Sequence, residues 1–404
     1  MPDILKPRDG KDVEDALVWA LAEGKTLEVA GHGSKRGIGR PSQSDLTLDL
    51  SSLSGVTLYE PEELVLSARA GTPIAEIEKL VAESGQELAF EPMDYGPLFG
   101  VPLGRGTIGG VIAANLSGPR RIKAGAARDH FLGVTAVSGR GETFKSGGRV
   151  VKNVTGYDLC KLMAGSHGTL GAMTDVTIKT LPRAETEATV MVLGLDDAKA
   201  MSAMAEAMGS SCDVSGAAHL PFQTMGDLKG LLGEQSVTLL RLEGVGPSVS
   251  HRVSMLAALL KPFGPVETLA EETSRPIWRT IRDVRPLAEQ SYQPVWRIST
   301  SPMQGAVLAQ SIAVATDASY FFDWAGGLIW LAVPRSRDAG AAVVRKSVAE
   351  AGGHATLIRA PAAIRAAVDV FEPQAEAVAA LTRRVKDSFD PKGILNPGRM
   401  WAGV

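Results

Sequence analysis

Glycine-rich turns are the features of this sequence whose residue types and spacing most clearly suggest chemistry. Three lie between residues 104 and 171: GTIGG at 106–110, VKNVTGYD at 151–158 and GSHGTLG at 165–171. A fourth, GHGSKRGIG, occupies residues 31–39. Glycine has no Cβ atom and tolerates positive φ, so a ligand can come close to the backbone at each turn. Together the turns indicate a large flat ligand with a phosphate tail, and they point to a flavin dinucleotide.

The turn at 31–39 superficially resembles the start of a Rossmann fingerprint. A Rossmann turn must open a helix whose N-terminus meets the pyrophosphate. Here the glycines run into RPSQSD at 40–45, which is not a helix start. We therefore expect successive backbone N–H groups of a loop to hold the phosphate, helped by Ser34 and Lys35. Taken alone, the loop is equally consistent with a solvent-exposed turn between strands.

His32 lies inside this loop and allows two interpretations. Some flavoproteins attach their cofactor covalently through a histidine in an equivalent loop, whereas a loop histidine is more often a polar turn residue. The second interpretation is favoured, so a non-covalent flavin is expected.

Composition excludes several classes of function. The 404 residues include 42 basic and 45 acidic side chains, and no segment is polybasic, so nucleic acid is not an expected partner. The two cysteines, Cys160 and Cys212, are too few for an iron–sulfur cluster, which needs about four thiolates. They could form a disulfide, but two buried thiols in a reduced cytosolic protein are favoured.

The sequence also bears on location. Its first residues contain no apolar region typical of a secretory signal, and no run approaches the ~18 apolar residues of a membrane span. A cytoplasmic chain is expected, peripheral to the inner membrane only if partners bring it there.

Hydrophobic periodicity predicts the elements that position the turns. Residues 11–23 read as a helix, residues 26–30, 46–50 and 65–69 as strands, and residues 133–145 as a β-hairpin. Another helix opens after Thr72 as N-cap and Pro73 as first residue. Beyond residue 183 the order β-α-β-α over residues 190–260 predicts an open α+β sheet with helices on one face. Strands near 296–299 and 328–333 follow, and then a helix and a tail rich in Pro and Gly over 371–404.

Several strings carry a resemblance to a known family. They are LAFEP at 88–92, GTIGG at 106–110, LSGPRR at 116–121, RD at 128–129, GG at 147–148, residues 151–159, AGSHGTLG at 164–171 and DPKGILNPG at 390–398. With them the chain resembles the flavoprotein family that includes vanillyl-alcohol oxidase, D-lactate dehydrogenases and glycolate oxidase. The likeness is strongest to the FAD-binding subunits of glycolate oxidase, over residues 1–182 and the tail.

The resemblance implies an α+β fold of the vanillyl-alcohol oxidase (PCMH) type. Residues 1–182 would form a two-part FAD-binding domain, 183–370 an α+β cap domain, and 371–404 a C-terminal segment returning to the flavin. Residues 30–35 would hold the pyrophosphate, 106–110 would approach the pyrophosphate and flavin ring, 168–171 would line the adenine or ribityl side, and Asn396 would lie near the isoalloxazine. The implied cofactor-binding residues are Gly31, His32, Gly33, Ser34, Lys35, Pro92, Gly106, Thr107, Ile108, Gly109, Gly110, Ser117, Gly168, Thr169, Gly171, Val176 and Asn396.

The chain departs from its catalytic relatives in the cap. Those relatives carry H-x-G-D-G-N-x-H, whose histidines bind metal or substrate near flavin N5. The corresponding stretch here is FDWAGGLIW at 322–330, with Trp324 and Trp330 near the histidine places. Tryptophan neither ligates a metal nor accepts a proton. The FAD-binding subunits of glycolate oxidase are similarly reduced, and the six histidines show no metal-ligand spacing, so no metal is expected.

Oxidation of a 2-hydroxy acid needs a base for the hydroxyl proton and a cation for the carboxylate. Arg297, on a predicted cap strand, is the candidate cation, although a surface or salt-bridged arginine is the more common role. No residue is assigned as the base. Asp158 lies in the flavin motif, but it is expected to fix a loop by accepting backbone N–H bonds.

These observations lead to one functional hypothesis and two rivals. The resemblance implies an FAD-binding subunit of a glycolate oxidase complex, which would oxidise glycolate, a small 2-hydroxy acid, to glyoxylate. Its partners would be a larger FAD-containing subunit and an iron–sulfur subunit. The rivals are a free-standing FAD-dependent dehydrogenase of another 2-hydroxy acid or alcohol, and a non-catalytic flavin-binding scaffold.

Overall fold

The structure is a computed structural model that describes residues 3–149, 156–288 and 292–404. No helix of these residues is long and apolar enough to cross a lipid bilayer. Cys160 and Cys212 are both buried and free. The prediction of two buried thiols is therefore confirmed, and the alternative of a disulfide is wrong.

The helices of the described residues are, in chain order, α1 Gly10–Ala22, α2 Ile74–Glu83, α3 Gly96–Phe99, α4 Ile108–Ala114, α5 Arg121–Ala124, α6 Leu159–Met163, α7 Asp197–Gly209, α8 Lys229–Leu232, α9 Gly246–Leu260, α10 Glu271–Arg282, α11 Gly305–Thr316, α12 Ala341–Ala351, α13 Ala362–Ala367 and α14 Glu376–Phe389. The strands are β1 Asp3–Leu5, β2 Leu27–Ala30, β3 Leu46–Asp49, β4 Val56–Glu60, β5 Val65–Arg69, β6 Gln86–Glu87, β7 Phe131–Ser138, β8 Thr143–Gly147, β9 Gly171–Lys179, β10 Leu181–Pro182, β11 Thr186–Leu193, β12 Gly216–Leu220, β13 Val237–Gly244, β14 Val266–Leu269, β15 Val295–Ser299, β16 Ser319–Asp323, β17 Leu328–Ala332 and β18 His354–Arg359.

Two sheets form in the first 180 residues. A three-stranded parallel sheet has the order β1-β3-β2, and a five-stranded antiparallel sheet has the order β4-β5-β9-β7-β8. Helix α1 packs Val13, Leu17 and Ala20 against Leu27 and Leu48 of the smaller sheet. The predicted first helix, the three early strands and the hairpin are thereby confirmed, and the loop at 31–39 contains no helix, as predicted.

The third large sheet has eight strands, in the order β14-β11-β13-β12-β16-β17-β15-β18, and all its printed pairings are antiparallel. Alternate residues of a strand point to opposite faces. In β11, Val190 and Val192 enter one core cluster with α7, α9, α11 and α12, whereas Met191 enters the cluster that contains Trp278 of α10. Both faces are therefore covered, and the prediction of helices on one face only is wrong.

The sheets and helices together give the predicted α+β class. The eight-stranded sheet is formed only by residues 186–359. The predicted domain boundaries at residues 182 and 370 stay a prediction. One local prediction fails: Pro73, not Thr72, is the N-cap of α2. The Thr72 hydroxyl instead donates to the Arg69 carbonyl and accepts from the Gly55 N–H, so it ties the chain entering α2 to the preceding strand.

The C-terminal segment returns to the three-stranded sheet. Leu395 forms a parallel bridge with Leu27, whose N–H donates to the carbonyl of Ile394. The buried ammonium of Lys386 donates to the carboxylate of Asp390 at 2.6 Å and also to the Leu395 carbonyl at 3.0 Å. Asp390 in turn accepts the N–H groups of residues 394 and 395. The tail is therefore fixed beside β2, where the glycine loop 31–39 begins.

Glycine at position 109 should be indispensable to this packing. A Cβ atom there would lie 2.8 Å from both Cβ and the carbonyl oxygen of Ala70, so Gly109→Ala would push α4 away from the end of β5. We expect a loss of about 1–3 kcal/mol in the free energy of unfolding, measured in urea. The control is Gly209→Ala at the end of α7, where the added methyl meets nothing within 4 Å. It should be neutral or slightly stabilising, and equal losses in both variants would contradict the packing argument.

Candidate functional site

Most of the predicted cofactor residues surround one cavity. It lies between the end of β2 with the loop that follows it, the start of α4, the turn before β9 and the C-terminal tail, and about 780 Å³ is free of protein atoms, including the open mouth. The predicted residues that line it are Gly31, His32, Gly33, Ser34, Lys35, Thr107, Gly109, Gly110, Gly168, Gly171 and Asn396.

The loop after β2 offers unused backbone donors to this cavity. None of the N–H groups of residues 31–35 has a hydrogen-bond partner among the described residues. The side chain of His32 adds a buried Nδ1 atom that is likewise without a partner there. Consecutive N–H groups of this kind form a concave site for an anion, because each carries a partial positive charge. The sequence prediction of a loop site, rather than a helix N-terminus, agrees with this geometry.

Two cations add to the positive potential. Burial lowers the pKa of the Lys35 ammonium to about 8, although the carboxylate of Asp94 opposes that shift. Burial likewise lowers the pKa of Arg399 to about 10. The Nη2 atom of Arg399 donates to the carbonyl of Lys35 at 3.1 Å, and its buried Nε has no partner among the described residues. Arg399 was not predicted from the sequence, although it directly follows the Asn-Pro-Gly of the tail motif.

One carboxylate, Glu28, also lines the cavity, but its charge is already compensated. Arg36 donates from Nε and pairs through Nη2 with the two oxygens of Glu28, at 3.1 and 3.0 Å. The cavity therefore keeps a positive character.

The glycines at 106–110 pack α4 closely against its neighbours, and their approach to FAD stays a prediction. The N–H of Ile108 donates to the Thr72 carbonyl, and the N–H of Gly109 donates to the Ala70 carbonyl. The N–H of Gly110 donates to the Thr107 hydroxyl at 3.3 Å, which caps α4. These three N–H groups are therefore not free for a phosphate. The glycines instead let α4 lie close to β5 and to the loop after β2, where a Cβ on Gly31 would come within 2.8 Å of the Thr107 hydroxyl.

Asn396 joins two walls of the cavity. Its Oδ1 accepts the N–H of Val29 at 3.0 Å, and its Nδ2 donates to the carbonyl of His167 at 2.8 Å. The residue is buried and has φ of 42°, a left-handed conformation that asparagine tolerates better than most residues. Asn396 thus holds the turn containing Gly168 against β2 and sets the width of the cavity.

Six predicted cofactor residues are not among the lining residues of this cavity. Ile108 and Val176 are fully buried in the core. The Ser117 hydroxyl accepts the N–H of Ala127 at 2.9 Å, and the Thr169 hydroxyl donates to the carbonyl of Ser166 at 2.8 Å. Contact between FAD and these residues stays a prediction. The six are Pro92, Gly106, Ile108, Ser117, Thr169 and Val176.

The motif at 151–158 lies mostly outside the described residues, which resume at Gly156. Tyr157 is 91% exposed. The carboxylate of Asp158 accepts the N–H of Lys161 at 3.3 Å and caps α6. The expectation that Asp158 fixes a loop through backbone N–H bonds is therefore confirmed.

A second cluster of candidate residues surrounds Trp324, one of the two tryptophans near the positions of the catalytic relatives' histidines. Its indole N–H donates to the carbonyl of Gly118 at 3.1 Å, which joins the eight-stranded sheet to the chain after α4. The guanidinium of Arg121 lies 4.5 Å from the ring centroid and that of Arg297 lies 4.9 Å from it. Neither arginine has an ion-pair partner within the described part of the chain. The salt-bridged alternative for Arg297 is therefore wrong.

Burial shifts the titration of the groups around this cluster. Burial lowers the pKa of Arg297, and the nearby charge of Arg121 lowers it further, while Tyr95 and Asp323 oppose the shift. Burial raises the pKa of Asp323 to about 7, although the N–H of Trp324, which donates to its Oδ1 at 2.7 Å, opposes that change. Two unpaired cations and a carboxyl group that titrates near neutral pH thus lie together. From the sequence we identified Arg297 and Trp324 but not Arg121, which comes from a separate segment, nor Asp323.

Comparison with known proteins identifies the family of this chain. A family model described as an FAD binding domain matches residues 3–147, and one for the C-terminal domain of FAD-linked oxidases matches residues 371–400. Glycolate oxidase subunit GlcE of Escherichia coli (strain K12) is 31% identical over 387 residues, which cover 95% of each chain. The chain belongs to the family of FAD-linked oxidoreductases that includes GlcE. FAD is accordingly its cofactor, as predicted.

Other known proteins are similar to part of this chain or share only its fold. Glycolate oxidase subunit GlcD of Bacillus subtilis (strain 168) is 29% identical, but the match covers 48% of this chain and 40% of that protein. The structure of p-cresol methylhydroxylase with bound substrate superposes with a TM-score of 0.74 at 13% identity, over 98% of this chain and 88% of the other. The predicted PCMH-type fold is thereby confirmed.

The cavity residues fit the diphosphate part of FAD on chemical grounds. The lining residues supply five consecutive N–H groups without partners among the described residues, the ammonium of Lys35 and the guanidinium of Arg399, and the one carboxylate, Glu28, is already paired. All of these are donors, and a pyrophosphate presents only acceptors and negative charge.

Proposed function

We propose that the chain is the FAD-binding subunit of a glycolate oxidase complex that oxidises glycolate to glyoxylate. The match to GlcE along nearly the whole chain carries this proposal. The FAD pyrophosphate would lie along residues 31–35, between Lys35 and Arg399. When bound, FAD supplies an acceptor for the hydride of the hydroxyl-bearing carbon.

Arg297 and Arg121 would hold the substrate carboxylate in this proposal. Both guanidiniums lie at the Trp324 ring without a carboxylate partner among the described residues, and Arg121 is exposed, so an anion can reach them. Burial makes an unpaired guanidinium costly, and a bound carboxylate would relieve that cost. Asp323, with its pKa raised to about 7, is our candidate for the group that takes the hydroxyl proton.

A partner must carry the electrons onward. An iron–sulfur cluster requires about four thiolates, and the sequence contains two cysteines, both buried. We infer that a larger FAD-containing subunit and an iron–sulfur subunit complete the complex. Trp324 and Trp330, which stand near the positions of the catalytic relatives' histidines, support dependence on that larger subunit for turnover.

The decisive experiment follows the flavin absorbance of the purified chain after glycolate is added without oxygen. We expect a yellow protein that glycolate bleaches only when the partner subunits are present. Turnover by the single chain with a dye acceptor would favour a free-standing dehydrogenase. A yellow chain that glycolate bleaches neither with nor without the partner subunits would favour a non-catalytic flavin-binding scaffold.

The substrate site is tested in the assembled complex with Arg297→Met. Its KM for glycolate should rise, because the substrate carboxylate loses a cation. The control is Arg335→Met, since Arg335 also lies over an aromatic ring, 5.0 Å from that of Tyr292, but on the surface. Equal KM values for the two variants would remove Arg297 from the substrate site.

The pH dependence of FAD binding tests the role of Lys35. Its pKa of about 8 in the free protein means that the ammonium loses its proton above pH 8. A nearby pyrophosphate favours the charged form, so FAD affinity should fall about ten-fold between pH 7 and pH 9. Arg399 titrates only near pH 10, and burial lowers the pKa of His167 to about 3, so neither group changes charge in this range. The measurement is the dissociation constant from flavin fluorescence.

Two variants sharpen that measurement. Lys35→Gln should bind FAD weakly at pH 7 and show no further loss up to pH 9. Lys392→Gln removes an exposed lysine of the tail and should keep the wild-type profile. A wild-type profile in Lys35→Gln would show that another group accounts for the pH dependence.

A further inference from the structure

The cluster around Trp324 holds two guanidinium groups against one aromatic ring. The ring centroid lies 4.5 Å from the Cζ atom of Arg121 and 4.9 Å from that of Arg297. An aromatic ring attracts a cation, but it does not replace the carboxylate oxygens to which the N–H groups of a guanidinium donate. Neither side chain donates a hydrogen bond to another of the described residues. Both groups therefore keep their N–H donors available for an anionic ligand.

The placement of Arg121 at the ring is fixed by one backbone carbonyl. The oxygen of Gly118 accepts the indole N–H of Trp324 at 3.1 Å and also the backbone N–H of Arg121 at 3.1 Å. Position 118 leaves no room for a side chain, since a Cβ atom there would lie 2.8 Å from the carbonyl oxygen of Glu91. Arg121 thus begins α5 in a defined position relative to Trp324, although its side chain is exposed.

The placement of Arg297 is fixed by the eight-stranded sheet. Arg297 lies in β15 directly opposite Trp330 of β17, and its neighbours Trp296 and Ile298 enter the core on the other face of the sheet. The same register puts Asp323, at the end of β16, on the face of Arg297. Arg297 is only half-buried, so an anion can reach its guanidinium from solvent.

The charge of the cluster is positive. Asp323 attracts Arg297, but burial raises the pKa of this carboxyl group to about 7, so it is only half-ionised at neutral pH. His354 adds no charge at pH 7, because burial and the charge of Arg297 lower its pKa. Further carboxylates around the cluster are each paired with an arginine, and they are Glu91 with Arg241, Asp283 with Arg282, and Glu372 with Arg345.

The two guanidiniums supply more positive charge than a single carboxylate compensates. The charge of Arg121 lowers the pKa of Arg297, because like charges repel. A glycolate ion brings one negative charge, whereas a molecule with two carboxylates brings one for each arginine. Since both cations lie against one ring, the two ends of one small molecule can reach them.

We propose that the site is selective for 2-hydroxy dicarboxylates and that Arg121 confers this selectivity. Arg297 holds the carboxylate next to the hydroxyl-bearing carbon, close to Asp323, and Arg121, nearer to solvent, holds the distal carboxylate. With glycolate, which has no distal carboxylate, the two arginines share the same one. The inference rests on the proposed function, because it concerns the same site and the same reaction, and it extends the substrate class beyond glycolate.

The test is isothermal titration of the FAD-loaded chain with malate and, separately, with 2-hydroxybutyrate, each as its racemate, at pH 7 and constant ionic strength. Both acids have the same carbon chain length and a 2-hydroxyl group, but only malate has a second carboxylate. We expect malate to bind about five-fold more tightly, the upper value for an ion pair with an exposed arginine. Equal affinities would overturn the inference and leave the proposed function standing. No saturable heat with either acid would remove the substrate site from this chain, and the inference with it.

Variants of Arg121 assign the selectivity. Arg121→Gln should lower the affinity ratio of malate to 2-hydroxybutyrate from about five to about one, and Arg121→Lys, which keeps the charge, should retain most of that ratio. Any effect on the carboxylate common to both acids cancels in the ratio. Because Arg121 is exposed, both variants should melt near the wild-type temperature.

The control for net charge is Arg383→Gln, which removes an exposed arginine of α14 and should keep the wild-type ratio. A ratio that Arg121→Gln leaves unchanged, or that Arg383→Gln lowers equally, would overturn the assignment to Arg121.

Discussion

Replacing Asn396 by leucine should release the flavin and lower the melting temperature sharply. Leucine has a similar size but neither accepts the N–H of Val29 nor donates to the carbonyl of His167, and both backbone groups belong to the wall of the cavity. A buried polar group without a partner costs about 1–3 kcal/mol, so the two together cost about 2–6 kcal/mol. The flavin-to-protein absorbance ratio after gel filtration and a thermal melt measure both effects.

Asn115→Leu is the matched control for this prediction. Asn115 also has a left-handed conformation, with φ of 49°, so leucine carries a similar backbone penalty at both positions. Its side chain accepts a single hydrogen bond, from the N–H of Arg128 at an exposed site. The Asn115→Leu variant should therefore keep its flavin. If Asn396→Leu retained as much flavin as the Asn115 variant, Asn396 would not shape the cavity.

Arg241→Met should lower the free energy of unfolding by about 3–5 kcal/mol, because it leaves the carboxylate of Glu91 buried with less compensation. The control is Arg8→Met. Arg8 pairs with Asp12 at 2.8 Å but is 85% exposed, so its loss should change the free energy of unfolding far less than the loss of Arg241. Urea unfolding at pH 7 measures both values, and a loss below about 1 kcal/mol in the Arg241 variant would contradict the structural role of the Arg241–Glu91 ion pair.

The ion pairs of Glu91 with Arg241 and Arg120 also predict that the free energy of unfolding depends on pH. Burial alone would raise the pKa of Glu91, but Arg241 and Arg120 outweigh it and lower the pKa to about 2. A carboxyl group with a lowered pKa stabilises the fold fully above its unfolded pKa of about 4.3, and this contribution disappears as pH falls towards 2. The difference between wild type and Arg241→Met should therefore shrink between pH 5 and pH 2. A constant difference would assign the effect of the substitution to packing against Trp278 instead.

The early part of the fold could be read from the sequence because its signals are local. Helix α1 and the hairpin of β7 and β8 show clear periodicity, and their ends fall within about two residues of the prediction. The later sheet was only partly predicted. Strand β12 has the sequence GAAHL, which is poor in the β-branched and aromatic residues typical of strands. It forms a strand because neighbours on both sides, β13 and β16, bury it completely.

The cofactor loop was predictable for a similar reason, since unused N–H groups follow from a glycine turn that opens no helix. The contribution of Arg399 could not be predicted from the sequence, because its approach to Lys35 depends on the return of the C-terminal tail to the three-stranded sheet. The close approach of Ala70 to Gly109 was not predicted either, since sequence shows that a backbone position lacks a side chain but not which neighbouring strand approaches it.

The position of Arg121 beside Arg297 was also beyond the reach of sequence patterns. They lie 176 positions apart, and Trp324 brings them together from a third segment. No periodicity connects residues of three separate elements.

The parallel bridge between Leu27 and Leu395 has a consequence for biosynthesis. One wall of the FAD cavity is made by residues near the start of the sequence and another by Asn396 and Arg399, so the two are translated far apart in time. A nascent polypeptide that has not yet released residues 394–399 from the ribosome has no complete binding place for FAD. If FAD binds in this cavity as proposed, flavin incorporation must therefore follow the synthesis of residues 394–399.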